Sequence, residues 1–195
     1  ASATSIVAVG HKAGKAITTG NHNTLVGREA GTSHTTGFYN TCLGSRAGDA
    51  VTTAGYTVAV GMDSLGTLTT GHYNVACGYQ AGAGITTGAG NVCVGQNAGK
   101  GSTATGNDNV AIGYNALYNV TSGAQDVAIG RDAGHAVTTG SNNCFIGYQA
   151  GQTGSPSGNI TTTSNIIVLG NGNISDIYCN DTSISSSDQR DKTDF

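Results

Sequence analysis

Asn109-Val110-Ala111-Ile112-Gly113-Tyr114-Asn115-Ala116-Leu117-Tyr118 carries a three-residue apolar run that ends on glycine, and Asp126-Val127-Ala128-Ile129-Gly130 repeats it seventeen residues on. Moving outward, the run recurs at Val7-Ala8-Val9-Gly10, Thr24-Leu25-Val26-Gly27, Thr41-Cys42-Leu43-Gly44, Val58-Ala59-Val60-Gly61, Val75-Ala76-Cys77-Gly78 and Val92-Cys93-Val94-Gly95. Beyond the centre it returns at Cys144-Phe145-Ile146-Gly147 and, degenerately, at Ile167-Val168-Leu169-Gly170. Successive marker glycines lie 17, 17, 17, 17, 17, 18, 17, 17 and 23 residues apart. A fixed period over most of a chain is the signature of a solenoid, in which each repeat packs only on its neighbours. The spacing predicts an all-β parallel roll over residues 1–170, with 152–165 as an enlarged loop holding Pro156 and 171–187 as an exit segment. Nine steps at the inter-strand spacing give a rod of roughly 45 Å.

Composition agrees. Among 195 residues there are 32 glycines, 27 threonines and 17 asparagines but only six leucines. That excludes a helical bundle, which needs leucine-rich stripes at the helical period. Charged residues are 10 % of the chain and the net charge is −3, with no basic stripe, so nucleic acid is not an expected partner. The longest apolar run, Ile166–Leu169, is far too short for a bilayer helix, and membrane insertion is not expected.

Each part of the repeat has a job. Asparagine usually precedes the strand (Asn23, Asn40, Asn74, Asn91, Asn109, Asn143), with Asp126 in the same place, and reads as a corner ladder bonding coil to coil. Alanine follows the marker glycine by three residues, a second apolar column runs through Ile17, Val51, Leu68, Ile85, Val120 and Val137, and Thr-Thr-Gly closes most coils. Side chains alternate along a strand, so its first and third residues share a face and the middle one takes the other. The larger first-and-third set is expected inside. The middle set (Ala8, Leu25, Cys42, Ala59, Ala76, Cys93, Ala111, Ala128, Phe145 and Val168) is then expected outside, facing partner chains. Strands apolar on both faces are covered on both faces, which predicts a cyclic homo-oligomer.

The Asn-Val-Ala-Ile-Gly pattern at Asn109–Gly113 and its echo at Asp126–Gly130 resemble the head repeats of trimeric autotransporter adhesins. The longer Val110–Tyr118 pattern, followed by Thr121-Ser122-Gly123, also resembles repeats of bacteriophage tail fibres and related appendages. The resemblance implies a left-handed roll, a homotrimer, a place on the virion (or, for the adhesins, on the bacterial surface) and a role in host attachment through a cell-surface glycan or protein receptor. Ser187-Asp188-Gln189-Arg190-Asp191-Lys192 resembles the opening of the self-cleaving intramolecular chaperone domain of phage tail spikes and fibres. That resemblance makes 188–195 the start of such a domain and the Ser187–Asp188 bond its cleavage junction.

No enzyme site is expected. The histidines His11, His22, His34, His72 and His135 fall in different columns and do not converge as metal ligands would, and no Ser/His/Asp or paired-carboxylate set recurs within one coil. No cofactor is expected either. The cysteines read as small apolar fillers: Cys77 and Cys93 are on opposite strand faces, and Cys42 and Cys93 are three coils apart, too far for a disulfide. An ice-binding solenoid is a further class, disfavoured because its faces need Thr-x-Thr rather than adjacent threonines. The candidate binding residues follow the marker glycines: Tyr79-Gln80, Tyr114-Asn115 and Tyr148-Gln149, where a rigid ring with a hydroxyl stands beside an amide.

Overall fold

A computed structural model describes residues 3–155 and 157–175. The expected parallel β-solenoid is what forms. Its strands are β1 (Val7–Val9), β2 (Thr24–Val26), β3 (Thr41–Leu43), β4 (Val58–Val60), β5 (Val75–Cys77), β6 (Val92–Val94), β7 (Val110–Ile112), β8 (Val127–Ile129), β9 (Cys144–Ile146) and β10 (Ile167–Leu169). They make one sheet in sequence order, every pair parallel and in the register that the repeat dictates, Val58 opposite Val75 and Val110 opposite Val127. No described residue is helical. The enlarged connection does not end the stack, because Ile160 restores the second apolar column and β10 pairs with β9 residue for residue. Pro156, Cys179 and the Ser187–Asp188 junction lie outside the described residues, as do 176–195 with all of 188–195 and most of 171–187.

The strand faces are the reverse of the expectation. Leu25, Cys42, Ala59, Ala76, Cys93, Ala111, Ala128, Phe145 and Val168 are buried inside the coil, and Ala8 is exposed only in the first strand. None of the nine buried side chains can face a partner chain. The first and third residues point outward instead, with Val9 58 % exposed, Leu43 47 % and Ile146 43 %. The reason is space. The interior is shared by the strand centre, the asparagine, the alanine and the second apolar column, and two branched side chains from one strand do not fit there. Small middle residues mark the inside.

Volume inside is also traded between positions. Where the strand centre is alanine at Ala59 and Ala111, a buried leucine stands six residues later, Leu65 and Leu117. Where it is larger, at Leu25, Cys42, Cys93 and Phe145, that later position is Gly31, Gly48, Gly99 or Gly151. A methyl group on Gly151 would stand 2.5 Å from the Phe145 ring, and one on Gly82 would stand 2.7 Å from Leu65. One large side chain thus serves about two coils and keeps the rod filled at the density that protein interiors require. Cys42 and Cys93 belong to this filling; burial pushes both thiols up to about 12. Cys42, Cys77, Cys93 and Cys144 are all free thiols.

Wherever asparagine holds the position before the strand, the ladder bonds its coil to the next through both ends of the amide, Thr57 breaking it in the fourth coil. Asn23 accepts from the Asn40 N–H at 2.9 Å and donates Nδ2 to the Gly37 carbonyl at 2.7 Å, and the pattern repeats up the rod. The threonine corner adds a second clasp, in which the N–H groups of Thr18, Thr19 and Gly20 all converge on the Thr35 carbonyl at 3.0–3.2 Å. Thr35, Thr36 and Gly37 do the same to Thr52.

Asp126 interrupts the ladder. Its Oδ1 accepts from the Asn143 N–H at 2.9 Å like its neighbours, but Oδ2 is buried without a partner where the asparagines carry a donating NH2. The ladder's register aims it at the Gly140 carbonyl, so only the protonated acid can complete the bond, and burial pushes the carboxyl up to about 6. With the folded value above the unfolded one, stability is full in acid and falls as pH rises from about 4 through 6. Asp126→Asn is expected to stabilise the chain by about 2–3 kcal/mol at neutral pH, with the gain gone below about pH 4, where the carboxyl is neutral in the folded and the unfolded chain alike. Urea denaturation of both proteins at the two pH values checks this, and an equal gain at both would refute the protonation account. His34 leans the other way. It replaces an aliphatic residue of the second apolar column, is fully buried, faces Asn40 Nδ2 at 3.3 Å, and is held near pKa 4 by burial.

Candidate binding surfaces

Among the described residues, every large hydrophobic that is exposed, Ile174 apart, lies on the outward strand stripe or in one of the two columns beside it. The stripe is made by the first and third residues of each strand. On one flank, two residues ahead of the strand, Tyr39, Tyr56 and Tyr73 stack on one another at 5.3 and 5.1 Å with ring planes 6° apart, and His22 extends the stack at 4.6 Å. On the other flank, just after the marker glycine, stand Met62, Tyr79, Tyr114 and Tyr148. In projection, ten strands three residues wide make a strip of about 430 Å². The flanks broaden it toward the roughly 800 Å² that one partner contributes to a stable interface.

Left-handed backbone aims the flanks. Tyr39, Tyr56 and Tyr73 have φ of 53–61°, as do the polar residues that follow Tyr79, Tyr114 and Tyr148, with Gln80 at 54°, Asn115 at 53° and Gln149 at 54°. Non-glycine residues adopt this region uncommonly. Here each bend turns an N–H onto the preceding coil, Tyr56 to the Phe38 carbonyl at 3.0 Å and Gln80 to the Met62 carbonyl at 3.0 Å.

Of the candidate residues read from the sequence, Tyr114 and Tyr148 come together. The Arg131 guanidinium lies 5.5 Å from one ring and 5.8 Å from the other, a cation held between two aromatic faces. Tyr79 stands apart, two coils before Tyr114 in the same column. Asn115 is committed to a polar ladder between Asn97 and Asp132, at 3.2 Å on each side. The Tyr39–Tyr56–Tyr73 stack was open to reading from the sequence, since the three lie seventeen residues apart. Along the column that contains Gln80, charge alternates. Lys12 faces Glu29 at 4.0 Å, and Arg46 grips Asp63 through two bonds of 2.6 and 2.8 Å.

A separate groove of about 390 Å³ opens on another corner, where the one eighteen-residue coil falls. Its floor is Ala83, Gly84 and Gly101, its ends are Thr67 and Tyr118-Asn119, and Lys100 and Thr103 form its sides. No group of three or more His, Cys, Asp or Glu side chains that could hold a metal occurs among the described residues. No helix among them is long and apolar enough to cross a membrane. Comparison with protein-family models, with curated proteins and with solved structures finds no match to this chain.

Proposed function

We propose that this chain is a non-catalytic segment of a homotrimeric viral tail fibre or appendage that presents a rigid rod for attachment to host cells. The observation that supports it most is the confinement of exposed apolar side chains to one continuous face running from Val7 to Leu169. A monomer seldom exposes apolar surface in so continuous a strip. Because the face repeats identically along the axis, copies that pack in parallel align like against like, and cyclic closure uses the face on every subunit. The number three and the viral setting come from the resemblance of the repeat and of the Ser187–Lys192 stretch to tail-fibre proteins. A bacterial adhesin head would use the same face in the same way.

Light scattering is expected to give three times the 19.3 kDa chain mass. The double variant Ile112→Asp/Ile129→Asp places two charges on outward positions that do not enter the coil. It is expected to lower the mass to that of one chain while circular dichroism keeps its β signature. A wild-type protein that is a stable, monodisperse monomer overturns the assembly.

A further inference from the structure

The groove at the eighteen-residue coil is built by chemistry the solenoid does not need. Its floor is bare of necessity. A methyl group on Gly84 would run into the Gly101 carbonyl, and one on Gly101 into the carbonyl of Val120. The neighbouring floor position, Ala83, belongs to a column that carries Gly66 in the coil before it but Lys15, Thr32, Asp49, Lys100, Tyr118, His135 and Gln152 elsewhere, so the coil also accepts large side chains there. The flank is formed by Ser102 and Thr103, where Thr103 holds φ of 55°. A β-branched residue is uncommon in that region.

The groove's polar groups point to one kind of ligand. Thr67 spends its hydroxyl proton on the Ala83 and Ile85 carbonyls at 2.6 and 3.0 Å, Thr86 spends its own on Ala104, and Asn119 gives Nδ2 to His135. Their oxygen lone pairs are left as acceptors for the hydroxyl protons of a polyol. The single charge at the rim is the Lys100 ammonium, 5.5 Å from the Tyr118 ring, and no ion pair ties it to an acid among the described residues. Tyr118 is itself fixed by stacking on His135 at 5.1 Å and 5°. Acceptors for hydroxyls, a cation steadied over an aromatic ring without an acid partner, and a volume suited to a small ligand fit a sugar ring that bears a carboxylate. The groove lies in columns five to eight residues past the marker glycine, away from the apolar face, so it stays open when that face is covered.

We propose that this groove binds a carboxylate-bearing sugar unit of a surface glycan, with the acid on Lys100 and the ring hydroxyls on Thr67, Thr86 and Asn119. The inference rests on the attachment reading and gives it a receptor class. Saturation-transfer NMR and calorimetry on the wild-type assembly would use two acidic probes, the methyl glycoside of N-acetylneuraminic acid and trigalacturonate, with methyl glucoside as the neutral comparison. At least one acidic probe is expected to bind and methyl glucoside to bind more weakly. Lys100→Gln is expected to weaken the acidic probe about tenfold, the size of a lost charge-assisted bond. Ala83→Tyr, which gives this column a side chain it already accommodates at Tyr118, is expected to fill the groove and abolish binding without changing the mass. Failure of both acidic probes to bind, or unchanged affinity in both variants, overturns the proposal. The mass measurement separates the two readings: a trimer that binds neither probe sinks the groove alone, and a monomer that binds sinks the assembly alone.

Discussion

Gly61→Ala is expected to destabilise the protein by more than about 4 kcal/mol. Gly61 has φ of 124°, a region that side chains rarely enter, and the added carbon would stand 2.5 Å from the carbonyl oxygen and 2.7 Å from the carbonyl carbon of Gly78. Both obstacles are backbone, so no rotamer change relieves them. The marker glycines form one continuous column, Gly44 pressing on Gly61 and Gly61 on Gly78, so forcing that step apart also strains the pairing of β4 with β5. Because a solenoid's stability is a chain of nearest-neighbour terms, the lesion is expected to split the stack. Hydrogen exchange should then show protection lost around coils four and five first, with a loss of the single denaturation transition. A variant with wild-type protection across Val58–Cys77 would show that the glycine column is not under contact.

Phe145→Ala is expected to cost about 3–5 kcal/mol, the range for emptying a fully buried aromatic site. The informative measurement is the partner change. Coils four and seven pair an alanine at the strand centre with a leucine six residues on, Ala59 with Leu65 and Ala111 with Leu117, whereas the Phe145 coil has Gly151 there. Gly151 has φ of 76°, in the same left-handed region as Leu65 and Leu117, and the nearest atoms to its missing side chain belong to the Phe145 ring. Phe145→Ala/Gly151→Leu should therefore recover a large part of the loss, a coupling read directly from a double-mutant cycle. Gly151→Leu alone should be destabilising, since the ring already fills the space. Additive losses would refute the exchange of volume between the two positions.

The strands, their order and their register were all readable from the sequence because the period is strict and parallel stacking allows no other alignment. The asparagine ladder was readable for the same reason, since an amide can both give and accept toward the next coil. The facing of the strand was not. Ranking Val110 and Ile112 above Ala111 by hydrophobicity places them inside, but a coil this narrow selects for size first, and the choice is made by neighbours outside the strand such as Leu117. The left-handed flanks were also hidden, because nothing about Tyr56 or Gln80 as residue types announces that conformation; only the stacked coil imposes it. The groove was not legible because it is defined by Gly84 and Gly101, two among 32 glycines. Its one local sign was the eighteen-residue interval between Gly95 and Gly113.

The threonine corners give the rod a sense of direction. At several of them the lower coil offers a cluster of N–H groups and the upper one a lone carbonyl, Thr18, Thr19 and Gly20 to Thr35 and then Thr35, Thr36 and Gly37 to Thr52. A transverse cut at such a step therefore exposes two unlike ends, electron-poor on one side of that corner and electron-rich on the other. Two rods meeting tip to tip could continue this pattern only head to tail, which leaves like ends mutually repellent and makes lengthening of the shaft a vectorial event.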